Sequence, residues 1–372
     1  MYDYVRSILQ DIKENGMTAL LKYSQKFDGF SGPFPVSQKE LVQISISPHD
    51  AEVIDAIVHR VKNYHSRQEV KSIFYTQNDS EYGLLANPIS RIGIYVPSGK
   101  SVLVSTLIMT AVPAMLAGVS EIAVACGSTD GQVDPFILYT AKKLGINELY
   151  KISGVQAIAA MAYGVGMKKT EKIFGPGNAY VTAAKQYLYG TVGIDCLAGP
   201  SEVCVLADGS SQLEYIMSDL QAQLEHGDDS RAYLITTSSE LCRSIESTRI
   251  TKILCSTIEE CIQKVNEIAP EHLELMVQTP EKYLPYIRNA GAVYCGDYSP
   301  TAASDYFSGS NHVLPTDKTA RFSSVLTVYD FIKFSSYVKM SRREFLEFRH
   351  LGIRMSEIEK MAAHKKSLEV RQ

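Results

Sequence analysis

The tightest constraint on the fold is an alternation. Between Arg91 and Asn178, short apolar runs of strand character take turns with helical stretches that end at glycine. RIGIYVP (91–97) is a strand running into proline, TLIMTAVPAMLAG (106–118) a helix stopped by Gly118, and EIAVAC (121–126) the next strand. FILYTAKKLG (136–145) and VQAIAAMAYG (155–164) repeat the helix-to-glycine form around ELYKIS (148–153), and KIFGPGN (172–178) is a strand entering a tight turn. Apolar strands separated by helices predict a parallel sheet covered on both faces. The pattern then restarts, with strands over 202–208, 232–237, 273–277 and 291–295 and helices over 211–226 and 257–268. Two α/β units of similar size predict two Rossmann-like domains. Residues 1–27 and 49–68 carry helical periodicity, and the tail after about Phe331 reads as charged and helical.

Composition narrows the class. A chain of 372 residues exceeds one ordinary core. With 21% charged residues and a net charge of −4, nothing in the composition argues for nucleic acid or an acidic membrane surface. No apolar run reaches the ~18 residues that span a bilayer, and the N-terminus reads as an amphipathic helix rather than a signal peptide. The seven cysteines are odd in number and scattered, without CxxC spacing. That disfavours a disulfide framework or a cysteine zinc site and predicts a reducing cytoplasm; most of these cysteines read as small core residues.

No GxGxxG occurs, so the usual dinucleotide fingerprint is absent. FGPGNAYVTAAK (174–185) still sets a Gly-Pro-Gly turn between a strand and a helix. Such a turn is either an ordinary βα connection or an anion site at a helix N-terminus. YVPSGKS (95–101) is equally open. Of the eight histidines, His49, His59, His65 and His350 sit in polar contexts and read as surface residues. His226, His272, His312 and His364 each have an amide or carboxylate close by in sequence: Gln223, Glu271, Asp305 and Glu359. Those are ingredients of a zinc site or an acid–base site, although any one alone reads first as structural. Gln223 and His226 lie three apart on a predicted helix and so share a face.

Together, IFGPGNAYVTAAK, IDCLAGPSEVCVLAD, QLEHGDDS, APEHLEL and GDYSPTAASDYFSGSNHVLPT resemble, in that order, the motifs of the histidinol dehydrogenase family, and the likeness extends from about Val5 to AAHKKSLEVR near the C-terminus. The resemblance implies an NAD-linked, zinc-dependent enzyme that oxidises L-histidinol through L-histidinal to L-histidine with two NAD, the last step of histidine biosynthesis. It implies an α/β fold of two incomplete Rossmann-like domains, one inserted in the other, with small helical terminal elements. The expected partition is residues 1–94 with 202–330 as the first domain, 95–201 as the NAD-binding second, and 331–372 as a helical C-terminal domain. A homodimer is also implied. Carried over by position, one zinc per subunit would be held by Gln223, His226, Asp305 and His364. Glu271 and His272 would be catalytic. Ser201, Gln223, His226, His272, His312 and Glu359 would bind substrate, and Tyr95, Gln156 and Asn178 the cofactor. His364, with Glu359, would come from the partner chain.

Three departures from the family pattern stand out. The loop usually reading PGG is Pro97-Ser98-Gly99, Ser304 replaces a usual glycine before Asp305, and the N-terminus is short. Two other chemistries fit parts of the pattern. Relatives of this fold oxidise sulfonated diols, but a carboxylate at Glu359 favours a cationic amino alcohol, with Lys360 beside it weakening the point. A zinc hydrolase or a non-catalytic zinc protein would need no cofactor turn.

Overall fold

The computed structural model describes residues 1–97, 102–128, 130–225 and 227–371. Ser98 and Gly99 of the unusual loop, and His226, therefore lie outside the described residues. The chain opens with α1 (Tyr2–Asp28), α2 (Gln38–Gln43) and α3 (Pro48–His65), then a hairpin of β1 (Ile73–Gln77) and β2 (Ser80–Pro88). The first α/β run is β3 (Arg91–Val96), α4 (Val104–Ala117), β4 (Glu121–Cys126), α5 (Pro135–Lys143), β5 (Glu148–Lys151), α6 (Gly154–Tyr163), β6 (Lys172–Phe174), α7 (Ala179–Leu188) and β7 (Gly193–Ile194). The second is β8 (Glu202–Ala207), α8 (Leu213–Leu224), β9 (Arg231–Thr236), α9 (Ser239–Ser244), β10 (Ile250–Leu254), α10 (Ile258–Ile268), β11 (His272–Met276), β12 (Ala292–Cys295) and α11 (Thr301–Tyr306). The chain closes with β13 (Ile332–Lys339), α12 (Arg342–Ile358) and α13 (Ala362–Glu369).

Each run forms a five-stranded parallel sheet, in the orders β5-β4-β3-β6-β7 and β10-β9-β8-β11-β12. Numbered within its own run, each order is 3-2-1-4-5, the Rossmann order without its sixth strand. The central strands β3, β8 and β11 are buried along their whole length, which is why they read as apolar runs. Helices on both faces supply the rest of the core. On one face of the first sheet, Val5, Ile8, Leu9 and Ile12 of α1 pack with Ile158 and Val181 of α6 and α7. On the other, Ile54 and Val61 of α3 join Leu107 and Ile108 of α4.

The chain divides into two compact units, residues 1–68 with 89–331, and residues 69–88 with 332–372. The first holds both parallel sheets. The second is a three-stranded antiparallel sheet, β1-β2-β13, with α12 and α13 packed on each other.

Several details depart from the sequence reading. Residues 331–372 were expected to be helical, but they contribute β13, whose partner β2 lies far earlier in the chain. The expected boundary at 94/95 falls inside β3, which heads the first sheet. The N-terminal helices were grouped with residues 202–330, yet α1 and α3 cover the helices of the first sheet. His65, expected at the surface, is fully buried; its Nδ1 lies 2.9 Å from Gln68 Oε1 and its Nε2 3.4 Å from the Asn311 amide. Among the described residues, no helix is long and apolar enough to cross a membrane.

Candidate functional site

Two groups of expected residues collect at opposite strand ends of the two sheets. In the first sheet the group lies at the carboxyl edge, beside β3 and β6, where the strand order reverses. That is where open α/β sheets bind ligands. Asn178 caps α7, its side chain accepting from the amides of Tyr180 (3.0 Å) and Val181 (3.1 Å). Gln156, in the first turn of α6, is buried and donates to Asp28 at 3.0 Å. Both line a cleft of about 320 Å³ with Phe27, Asp28, Ser153 and Tyr180. Tyr95 stands behind this cleft: it is buried, and its hydroxyl accepts from the Gly154 amide at 3.1 Å, fixing the start of α6. Burial holds its phenol above the usual range. Asp28 and Phe27 were not singled out from sequence, because they end the first helix far from any recognised turn. A larger cleft of about 440 Å³ opens past Val96 and Cys126 and contains none of the expected residues.

In the second sheet the group lies at the amino edge. Glu271 and His272 stand at the entry to β11, and Ser201 at the entry to β8. Adjacent residues in a straight strand point to opposite faces, but Glu271 precedes the strand and its side chain turns to meet its neighbour. Its Oε1 lies 3.8 Å from His272 Nε2, while Oε2 accepts from the Glu202 amide at 2.9 Å. Burial raises the Glu271 carboxyl to about 8, with the Glu202 and Asp305 charges adding to the rise and the amide bond opposing it. On its other nitrogen, His272 Nδ1 is 3.0 Å from the Tyr294 hydroxyl. Burial, with the charges of Asp305, Glu271 and Glu274, raises the Tyr294 phenol.

Gln223 and Asp305 are brought toward this group by two helices. On α8, Ile216, Leu220 and Gln223 are the buried residues; spacings of four and three place them on one face, so Gln223 points inward. Asp305 is carried by α11, which packs against α8. A carboxyl group ties α11 to β11. Glu274, two residues beyond His272 on the same strand face, accepts from the Thr301 amide (2.7 Å) and hydroxyl (2.9 Å) at the start of α11. Asp219 on α8 is close enough for its charge to act on Glu274. Both carboxyls are raised, chiefly by burial. Sequence reading missed Glu274, Asp219 and Tyr294; the strand-face relation of Glu274 to His272 was the available signal.

Ser201 is half-buried, its carbonyl accepting from the Arg231 amide at 2.9 Å. His312 is half-buried on a segment anchored by Asn311, which donates to the Met109 carbonyl at 2.7 Å. Glu359 and His364 are exposed in the second unit, at the end of α12 and on α13. Among the described residues, no three His, Cys, Asp or Glu side chains cluster closely enough to hold a metal.

The histidinol dehydrogenase family model matches residues 1–252 and 243–372. A curated histidinol dehydrogenase from Thermococcus kodakarensis is 53% identical over 371 residues, 99% of this chain and 98% of that protein. One from Bacillus thuringiensis subsp. konkukian is 38% identical, covering 99% of this chain and 91% of that one. A crystal structure of histidinol dehydrogenase from Elizabethkingia anophelis superposes with a TM-score of 0.94 at 35% identity, over 99% of this chain and 91% of that one. With the motifs in order, the paired sheets and whole-length similarity in agreement, the chain belongs to the histidinol dehydrogenase family of oxidoreductases.

Proposed function

We propose that the chain oxidises L-histidinol to L-histidine by way of L-histidinal, reducing two NAD, as the last step of histidine biosynthesis. The observation that carries this reading is the buried Glu271–His272 pair at the head of β11, with 3.8 Å between Oε1 and Nε2. The first oxidation removes a hydroxyl proton and a hydride from carbon. The second must first add water to the aldehyde, then remove a proton and a hydride from the hydrate. Each hydride reduces one NAD, so one alcohol yields one carboxylate and two NADH.

His272 is the proton acceptor of the first oxidation. The raised Tyr294 phenol stays protonated; when its oxygen accepts Nδ1–H, Nε2 is the nitrogen that takes the hydroxyl proton. Glu271 is the activator of water for the second oxidation: in its ionised form, dominant only above about pH 8 because burial raises the carboxyl, it takes a proton from the water that adds to the aldehyde carbon. Ser201, His312 and Glu359 hydrogen-bond the substrate. The dinucleotide occupies the cleft of Gln156 and Asn178, with Tyr95 supporting its wall, and the capped N-terminus of α7 favours its phosphates.

Zinc fits the donors present. Gln223 and Asp305 offer oxygens from two helices that pack together, and His226 and His364 would add nitrogens, a mixed set of the kind zinc accepts. When bound, the metal would hold the substrate's amine and imidazole and so orient the reacting carbon. The reading of a homodimer, with His364 and Glu359 serving the partner's site, draws support from α12. Its Phe348, Leu351, Met355 and Ile358 form an exposed apolar stripe, 43–61% accessible, of the kind that marks an interface. The deciding assay counts NADH formed per histidinol consumed: two is expected, and one, with histidinal accumulating, overturns the four-electron reading.

A further inference from the structure

Lys185 and Asp195 form an ion pair with side chains only 2% and 4% accessible. Lys185 ends the motif IFGPGNAYVTAAK and Asp195 lies in IDCLAGPSEVCVLAD, but neither is among the expected site residues. Desolvating two charges is expensive, and an apolar pair of similar volume often serves stability as well or better. The contacts of this pair have a specific layout. Asp195 accepts from the Gly175 amide at 2.7 Å and from the Cys196 amide at 2.6 Å. Lys185 donates to the Gly175 carbonyl at 3.0 Å. Both backbone groups of Gly175 are therefore held by one ion pair. That residue has φ of +116°, and a β-carbon there would overlap the Tyr95 carbonyl. Gly175 opens the turn that ends at Asn178, while Cys196 opens the segment that leads to Ser201. Thr182, on the same helix as Lys185, adds a bond to the Ala198 carbonyl at 3.3 Å.

We infer that the Lys185–Asp195 pair is a positioning device that locks the 175–178 turn to the 196–201 segment, setting the cofactor cleft in register with the substrate side. This deepens the proposed function and rests on its placement of the dinucleotide beside Asn178. Greasy side chains could fill the same volume but could not orient a strained glycine peptide at both its N–H and C=O. The directional bonds explain why charge is retained in the core.

The test measures NAD affinity by calorimetry alongside thermal midpoint, in the metal-loaded full-length protein. Asp195→Asn changes one atom in shape and removes the charge; Lys185→Met removes the donor. Each should raise the NAD dissociation constant at least tenfold at temperatures where the protein is fully folded, with KM for NAD rising more than kcat falls. The double variant should be no worse than the poorer single one, because the pair acts as a unit. If Lys185→Met fails to fold, Asp195→Asn carries the test. A lowered midpoint with unchanged NAD affinity would mean a purely structural brace and overturns the inference. Asn178→Asp tests the underlying placement separately: it keeps the helix cap and sets a negative charge beside the dinucleotide. Unchanged NAD affinity in Asn178→Asp overturns the placement of the cofactor, and with it the register argument.

Discussion

At the scale of the residue, adjacent side chains acquire different tasks from their surroundings. His272 faces a phenol that remains protonated, and Glu271 is held protonated up to about pH 8 by burial. Glu271→Gln should still oxidise histidinol to histidinal and then stall, giving one NADH per substrate at early times. His272→Ala should slow the alcohol step by ~10²–10⁴-fold. If Glu271→Gln slows the alcohol step and spares the aldehyde step, the roles are reversed. The raised carboxyl also makes a stability prediction. A folded-state value near 8 lies above the usual 4.5, so between these values the unfolded chain ionises while the folded one keeps its proton. Stability therefore falls as pH rises from about 4.5 to about 8 and levels off above, with a slope of up to ~1.4 kcal/mol per pH unit from this group. In chelator and without substrate, Glu271→Gln should flatten that decline, read as thermal midpoints across the window. Equal slopes in both proteins would show that the carboxyl ionises freely when folded.

At the scale of the element, Glu274 joins the strand of His272 to the helix of Asp305. Glu274→Ala strips an acceptor from the Thr301 amide and hydroxyl. Leaving such groups buried and unsatisfied costs about 1–3 kcal/mol; denaturant unfolding should show this loss, and Glu274→Gln should recover most of it. A loss below about 0.5 kcal/mol in Glu274→Ala would mean that water takes over these bonds. The same elements show what a sequence reveals. β3, β4 and β8 were legible because parallel strands buried on both faces are mostly apolar, and because α4 and α6 stop at glycine. β13 was not. Its IKFSSYVK leaves Phe334 and Val338 half exposed, and its charges and spacing pass for a helix face. β1 is exposed at every position, so no buried face betrays it. His65 looked like a surface residue because its buried partner, Asn311, is 246 residues away. The site residues stood out through long motifs; Glu274, Lys185 and Asp195 lie in the same motifs, but their roles did not show, since a buried charge is recognisable only once its counterpart is in place.

At the scale of the whole molecule, the proposed function divides cofactor and acid–base chemistry between two sheets of one topology, used at opposite edges. Assembly adds a second division. If His364 serves a neighbouring chain, inactive His364→Ala and inactive His272→Ala proteins should regain activity when mixed and allowed to exchange subunits, because half of the mixed dimer's sites are whole. Mixed dimers that form and stay inactive would place the site within one chain.

The pairing of β2 with β13, in register from Glu81↔Lys339 to Pro88↔Ile332, also sets a timetable. A ribosome adds 243 residues after Pro88 before it reaches Ile332, which at ~5–20 residues per second takes roughly ten to fifty seconds. Throughout that interval the hairpin of β1 and β2 has an open edge, and an isolated two-stranded hairpin is marginally stable at best. The smaller unit is therefore the last part of the newborn chain to mature. Chains stalled before residue 332 should be cut by protease within residues 69–88, while chains released at full length resist there; equal resistance in both would mean that the hairpin finds shelter without its third strand.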